Sequence, residues 1–393
     1  MTSPAIFATF LRLVLVLLAF LSVPLVSAAQ GSGAASADGG GHGSHGDQTH
    51  TDQTGPPPAA PEYPSLRLSG FGNVDFASQK RTEGPRGFTE GQFVLHLASA
   101  LSPRVNFFGE LSFSPRADAG SGSPAATGYN AEVERAIIRF DQSDRLKVSF
   151  GRYHTPINWW NTAYHHGAWL QTTISRPEMT QFGGVFIPVH FVGALAEGTI
   201  PAAGWNVNYQ AGVGNGRGAV ISRGGDAGDN NARPAYVLNL FTKPDRVFGL
   251  QAGGSLYLDR VSPIGRPEVA ERIAAAHLVW QRGDAEIIAE TAQVRHERVG
   301  GGPGFDSIAA YFQAAYRLPM LNKVWKPYFR FEHIGIDEGD EIFASVPDLD
   351  GSTVGVRYDL STYAAVKTEA RFRRRAEDQP RSNGWFLQIC FTF

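Results

Sequence analysis

The last eleven residues, NGWFLQICFTF from Asn383 to Phe393, constrain the fold more than any other stretch. Trp385, Leu387, Ile389, Phe391 and Phe393 fall at every second position, and all are large and apolar. Phe386, Gln388, Cys390 and Thr392 lie between them as a mostly smaller or more polar set. A period of two belongs to an extended strand with one greasy face. Such a strand either edges a soluble sandwich or crosses a bilayer, where aromatic residues mark both interfaces.

The start of the chain declares an export route. Arg12 is the only charge before Asp38, Leu13 to Val26 is almost wholly apolar, and Val26-Ser27-Ala28 offers small residues for cleavage. Residues 1–29 therefore read as a secretory leader. No later stretch is apolar enough for a helical span. Residues 30–64, rich in Gly, His and Pro, have almost nothing to bury and are expected to form a disordered tether. Within it, His42, His45 and His50 are candidate ligands for a borderline metal such as zinc or copper.

From residue 65 to 393 the chain is a series of alternating runs, about sixteen of them, most long enough to cross a bilayer at a tilt. Connections such as Ser102-Pro103, Pro201-Ala202-Ala203-Gly204 and Arg282-Gly283-Asp284 are short. Those at 115–129, 154–188, 215–232 and 337–350 are longer and more polar, and the two kinds alternate along the chain. A soluble sandwich has no reason to sort its loops this way. A membrane barrel does, because its turns on one side are short and its external loops long. The expected fold is thus all-β, a transmembrane antiparallel β-barrel. Charged residues at 18% fit strands shared between lipid and water, and a net charge of −2 advertises no nucleic-acid partner. The single cysteine, Cys390, excludes an intramolecular disulfide.

Side-chain parity assigns the interior. A Lys or Arg facing lipid at mid-depth costs about 2–4 kcal/mol, so charged rows must face the lumen. On this basis Lys367, Glu369, Arg371, Arg373 and Arg375 point inward opposite Val366, Thr368, Ala370 and Phe372. Arg145 and Lys147 do so opposite Leu146, Val148 and Phe150. Arg330, with Lys326 and Glu332, lies opposite Phe329 and Phe331, and Arg357 joins them. Arg374 breaks the parity at a strand end, where the cost falls away. The basic row either guides anions or forms ion pairs that hold loops to the wall.

The connection after the fifth run is the densest in aromatics and histidines. Trp159, Trp160, Tyr164 and Trp169 can pack on the wall, and an inward fold would make this loop the constriction. His154, His165 and His166 can hydrogen-bond, respond to pH or ligate metal, although adjacent His165-His166 lacks the spacing of a helical zinc pair.

The terminal Phe393, the sorted loops, and the stretches FTEGQFVLHLASALSPRVNFFGELSF and GRYHTPINWWNTAYHHGAWLQ resemble Gram-negative porins, in particular the phosphate-selective porin O/P family. The resemblance implies an outer-membrane barrel of sixteen strands, assembled as a homotrimer by machinery that reads the final Phe. It also implies that the third external loop folds inward and that small hydrophilic solutes or inorganic anions diffuse through passively, without cofactor or catalysis. An arginine ladder would correspond to Arg371, Arg373 and Arg375. The family's lysine cluster has no counterpart in 154–188, which contains no lysine and only Arg176. The alternatives are a barrel hydrolase, for which no motif singles out a catalytic set, and a metal-linked uptake channel using the His-rich tether.

Overall fold

In the computed structural model the described residues are 62–393, except 80–83, 85, 124, 126, 182–184, 347 and 376–381. The leader and nearly all of the tether, His42, His45 and His50 included, lie outside them.

Every alternating run forms a strand. The first half of the chain contributes β1 (Ser65–Ser78), β2 (Gly87–Ala100), β3 (Val105–Pro115), β4 (Tyr129–Ser143), β5 (Leu146–His154), β6 (His190–Ile200), β7 (Val207–Asn215) and β8 (Ala235–Thr242). The second half contributes β9 (Leu250–Val261), β10 (Val269–Arg282), β11 (Ala285–Arg298), β12 (Gly304–Tyr316) and β13 (Trp325–Gly335). β14 (Leu349–Asp359), β15 (Ala364–Arg374) and β16 (Ser382–Thr392) complete it. Each strand pairs antiparallel with its sequence neighbours, and β1 pairs with β16, so the sheet closes on itself. Closure leaves no backbone edge unpaired, which is what permits strands to stand in hydrocarbon.

The expected parity is observed on β13, β15 and β16. Trp385, Ile389, Phe391 and Phe393 are exposed on the outside, while Phe386, Gln388 and Cys390 are buried. Phe150, Phe329, Phe331 and Phe372 also face out. Arg374 lies exposed at the end of β15 and pairs there with Asp350 at 2.9 Å. The seam where the chain ends meet is packed closely. Phe393 exchanges both backbone hydrogen bonds with Gly70, and its ring stacks on Phe93 at 6.0 Å between centroids. A Cβ at position 70 would stand 2.6 Å from the Phe393 ring and 2.7 Å from the Val94 carbonyl, so only glycine fits.

One irregularity re-aims side chains. On β3 the pairing passes from Glu110↔Arg135 to Leu111↔Val133, leaving Glu134 as an extra residue on β4. This β-bulge shifts the phase of the strand. Both Glu134 and Arg135 consequently turn inward: Glu134 is buried in the lumen, and Arg135 pairs there with Glu110 at 2.5 Å.

Candidate functional site

The chain between β5 and β6, residues 155–189, folds into the lumen and lies against the wall made by β8 to β15. Its described residues include a short helix, α1 (Trp160–Tyr164), and a 3-10 turn at Glu178–Thr180. Its apolar side chains Ile157, Trp160, Met179, Phe186 and Ile187 join a buried cluster with Tyr257, Ile273, Ile288, Val294 and Tyr311 of the wall. Trp160 and Tyr164 meet edge to face at 5.0 Å, Trp159 meets Tyr164 at 4.7 Å, and Trp160 reaches Tyr311 at 6.0 Å.

Most of this loop has neither helical nor sheet partners for its backbone, and buried peptide groups must find them elsewhere. The charged rows of the wall supply them. Lys367, fully buried, donates to the carbonyls of Ala168, of Gln171 at 2.9 Å and of Thr173 at 3.2 Å. Arg357 donates to the carbonyls of Trp169 at 2.7 Å and Gln171 at 3.1 Å, and its guanidinium lies 4.9 Å over the Trp169 ring. Arg330 donates to the Ser175 carbonyl at 2.8 Å and the Arg176 carbonyl at 2.9 Å, and pairs with Glu332. The carboxylates take the amides. Glu290 accepts from Trp159 and Trp160, Glu369 from Ile174 and Ser175, and Glu332 from Glu178. Glu178 itself is held by Arg373 at 3.0 Å and Arg375 at 3.1 Å. Arg371 pairs with Glu369 at 2.5 Å and sits over the Phe386 ring. Of the remaining inward cations read from the sequence, Lys147 is half-buried opposite Glu197, and Arg145 is exposed in the turn between β4 and β5.

Open space remains on the other side. A cavity of about 590 Å³ is lined by Arg67, Arg135, Arg139, Glu197 and His154 among others. A second, of about 230 Å³, is bordered by Asp75, Gln92, His165, His166, Arg176 and Gln388. Arg67, Arg135 and Arg139 are not among the site residues read from the sequence.

Between the two cavities stands a cluster of imidazoles around one carboxylate. Neighbouring strands bring up His154 and His190, which pair across β5 and β6. The bulge brings up Glu134, and the loop delivers His165 and His166. His190 Nε2 lies 2.8 Å and His166 Nε2 3.0 Å from the Glu134 carboxylate, and His165 Nε2 lies 3.9 Å away. The rings of His154 and His165 are 3.9 Å apart. Burial holds the His165 imidazole well below its ordinary pKa, helped by the neighbouring His154 and Arg176. Donor atoms of Glu134, His154, His165 and His166 all lie within 4.8 Å of one another, so this is where a metal ion could be held. Glu134 and His190 were missed from sequence. The signal for Glu134 was present in β4, where apolar outward positions run Ala131, Val133 and then Ala136, Ile138, Phe140. That change of phase marks the bulge.

No protein-family model and no curated protein matches this chain. Solved structures do. OmpT, an outer membrane protein of Vibrio cholerae solved in a trimer form, matches with a TM-score of 0.55 at 14% identity, over 84% of this chain and 100% of its own. The outer membrane channel DcaP of Acinetobacter baumannii gives 0.57 at 12% identity, over 84% and 98%. OmpF of Salmonella typhi, solved in complex with daunomycin, gives 0.55 at 11% identity, over 84% and 97%. At such identities the shared property is the sixteen-stranded closed barrel.

Proposed function

We propose that the chain is an outer-membrane channel for passive diffusion of small hydrophilic solutes, with a preference for anions. The observation that carries this reading is the inward loop, clasped to one side of the wall while the other side lines open space. Irregular backbone at membrane depth is tolerated where it is buried in protein or lines an aqueous passage, and this loop does both. The DcaP and OmpF likenesses accord with a channel, and the trimer form of OmpT accords with a homotrimer.

Anion preference rests on Arg67, Arg135 and Arg139 around the larger cavity, against Glu197. Glu110 and Asp141 offset part of that charge through their pairs with Arg135 and Arg139. Low-dielectric walls concentrate the field of the remainder. Lys367, Arg357, Arg330, Arg373 and Arg375 act on selectivity through the loop they hold. A reversal potential across a planar bilayer in a salt gradient tests this. Anion preference is expected at about 0.1 M salt, weakening towards 1 M as the Debye length falls from about 10 to about 3 Å. It should reverse on substituting Arg67→Glu together with Arg139→Glu. Cation preference in the unsubstituted channel, or no conductance, would overturn the reading.

A further inference from the structure

The geometry points to a transition-metal site at the neck of the lumen, built by Glu134, His154, His165 and His166, that takes a borderline divalent ion such as Zn²⁺ and narrows the passage when filled. These residues come from β4, β5 and the inward loop, and they converge only because a bulge turns Glu134 inward; His190 of β6 stands beside them, 2.8 Å from Glu134.

The cluster is hard to explain as packing. Polar rings taken out of water need partners, and an orphaned one in a well-packed interior signals something more. His154 is 5% exposed, yet neither ring nitrogen makes a hydrogen bond. Its nearest carboxylate oxygen, on Glu110, is 3.6 Å away. His166 Nδ1 faces the Gln92 Oε1 at 3.3 Å, and with that oxygen as acceptor Nδ1 carries the proton. Nε2 faces the Glu134 carboxylate at 3.0 Å, where a bound ion would take the place of a proton. Holding the far nitrogen to a carbonyl is how metal-binding imidazoles are oriented. Ser112 donates to Glu134 at 2.8 Å and fixes the carboxylate in the same way.

The donor set selects the ion. Imidazole nitrogens with one carboxylate suit zinc, copper or nickel, whereas calcium and magnesium require oxygen ligands. Arg152 stands 3.5 Å from Glu134, and Arg176 3.2 Å from His165 Nδ1. A hard cation bound through Glu134 alone would not overcome their repulsion; a metal that bonds to nitrogen does. Donors around tetrahedral zinc sit about 2.0–2.2 Å from the ion, hence about 3.4 Å from one another. The present spread of up to 4.8 Å therefore closes by about 1 Å of ring movement. His154 lines the larger cavity, while His165 and His166 line the smaller. An ion held among them stands between the two.

The effect on conductance rests on the channel reading; the binding does not. Calorimetric titration of Zn²⁺ into the exported chain in detergent, with His42→Ala, His45→Ala and His50→Ala to silence the tether, should give one ion per barrel. Glu134→Gln with His154→Ala should weaken it by at least about tenfold while the barrel keeps its heat-modifiable mobility. Should that variant fail to fold, Co²⁺ added to the tether-silenced chain reports directly, through the intense visible absorption of a tetrahedral nitrogen-ligated ion. In planar bilayers, micromolar Zn²⁺ should lower conductance and a chelator should restore it. The absence of both Zn²⁺ heat and Co²⁺ absorption, or binding unchanged by the double substitution in a folded barrel, overturns the site. Binding with unaltered conductance overturns the narrowing alone. A barrel that binds Zn²⁺ but never conducts counts instead against the channel.

Discussion

Arg330 shows what a charge does in a water-poor lumen. Its guanidinium, fully buried, satisfies two loop carbonyls and the Ser175 hydroxyl, and lies against Glu332. Arg330→Met keeps much of the volume but leaves those acceptors and a buried carboxylate uncompensated. Breaking a buried pair in this way costs about 3–5 kcal/mol. The loss should appear as release of the loop: faster proteolysis within residues 160–180 and larger, noisier single-channel currents, with the barrel still assembled. The sequence placed Arg330 on the inner face by parity alone. What it did not disclose was the partner, because Arg330 and Ser175 are 155 residues apart and meet only through the loop's path. Glu134 is the opposite case. Its inward turn was written in the phase change between Val133 and Ala136, a one-residue slip in an otherwise regular period.

Among the elements, the strands were the most legible part, since a half-lipid, half-aqueous environment imposes a strict alternation. The inward loop was legible by its aromatic density, but its docking was not: Trp160 meets Glu290, 130 residues away. The loop's grip also has a pH dependence. Burial alone would raise the Glu178 carboxyl, but Arg373 and Arg375 outweigh it and hold it below the usual carboxylate range. A carboxylate with a depressed folded pKa contributes stability that is fully present above its unfolded value, about 4.3, and is lost as pH falls through the folded value. Acidification from pH 7 to 5 should therefore leave this clasp intact, and further acidification below about pH 4 should loosen it. Protease susceptibility of the loop across pH, using an acid-active protease, checks the direction. Glu178→Gln should remove the acid-dependent component.

For the whole molecule, closure depends on a seam between residues that are far apart in sequence. Gly70 receives the terminal Phe393 on both its backbone and its ring. Overpacking such a site costs typically about 1–3 kcal/mol. Gly70→Val and deletion of Phe393 should each lower the fraction of heat-modifiable barrel recovered from outer membranes; equal recovery would show that the seam tolerates misfit. The inward loop has a consequence of another kind. Along β9 to β13 the wall is backed from inside by a buried apolar cluster, to which no described residue of β2 or β3 contributes. Stiffness follows packing, so the cylinder is braced along one flank only. Under lateral pressure from the bilayer, the unbraced flank yields first. The bore then works as a fixed jaw opposed by a compliant one, and its outline changes from a single side.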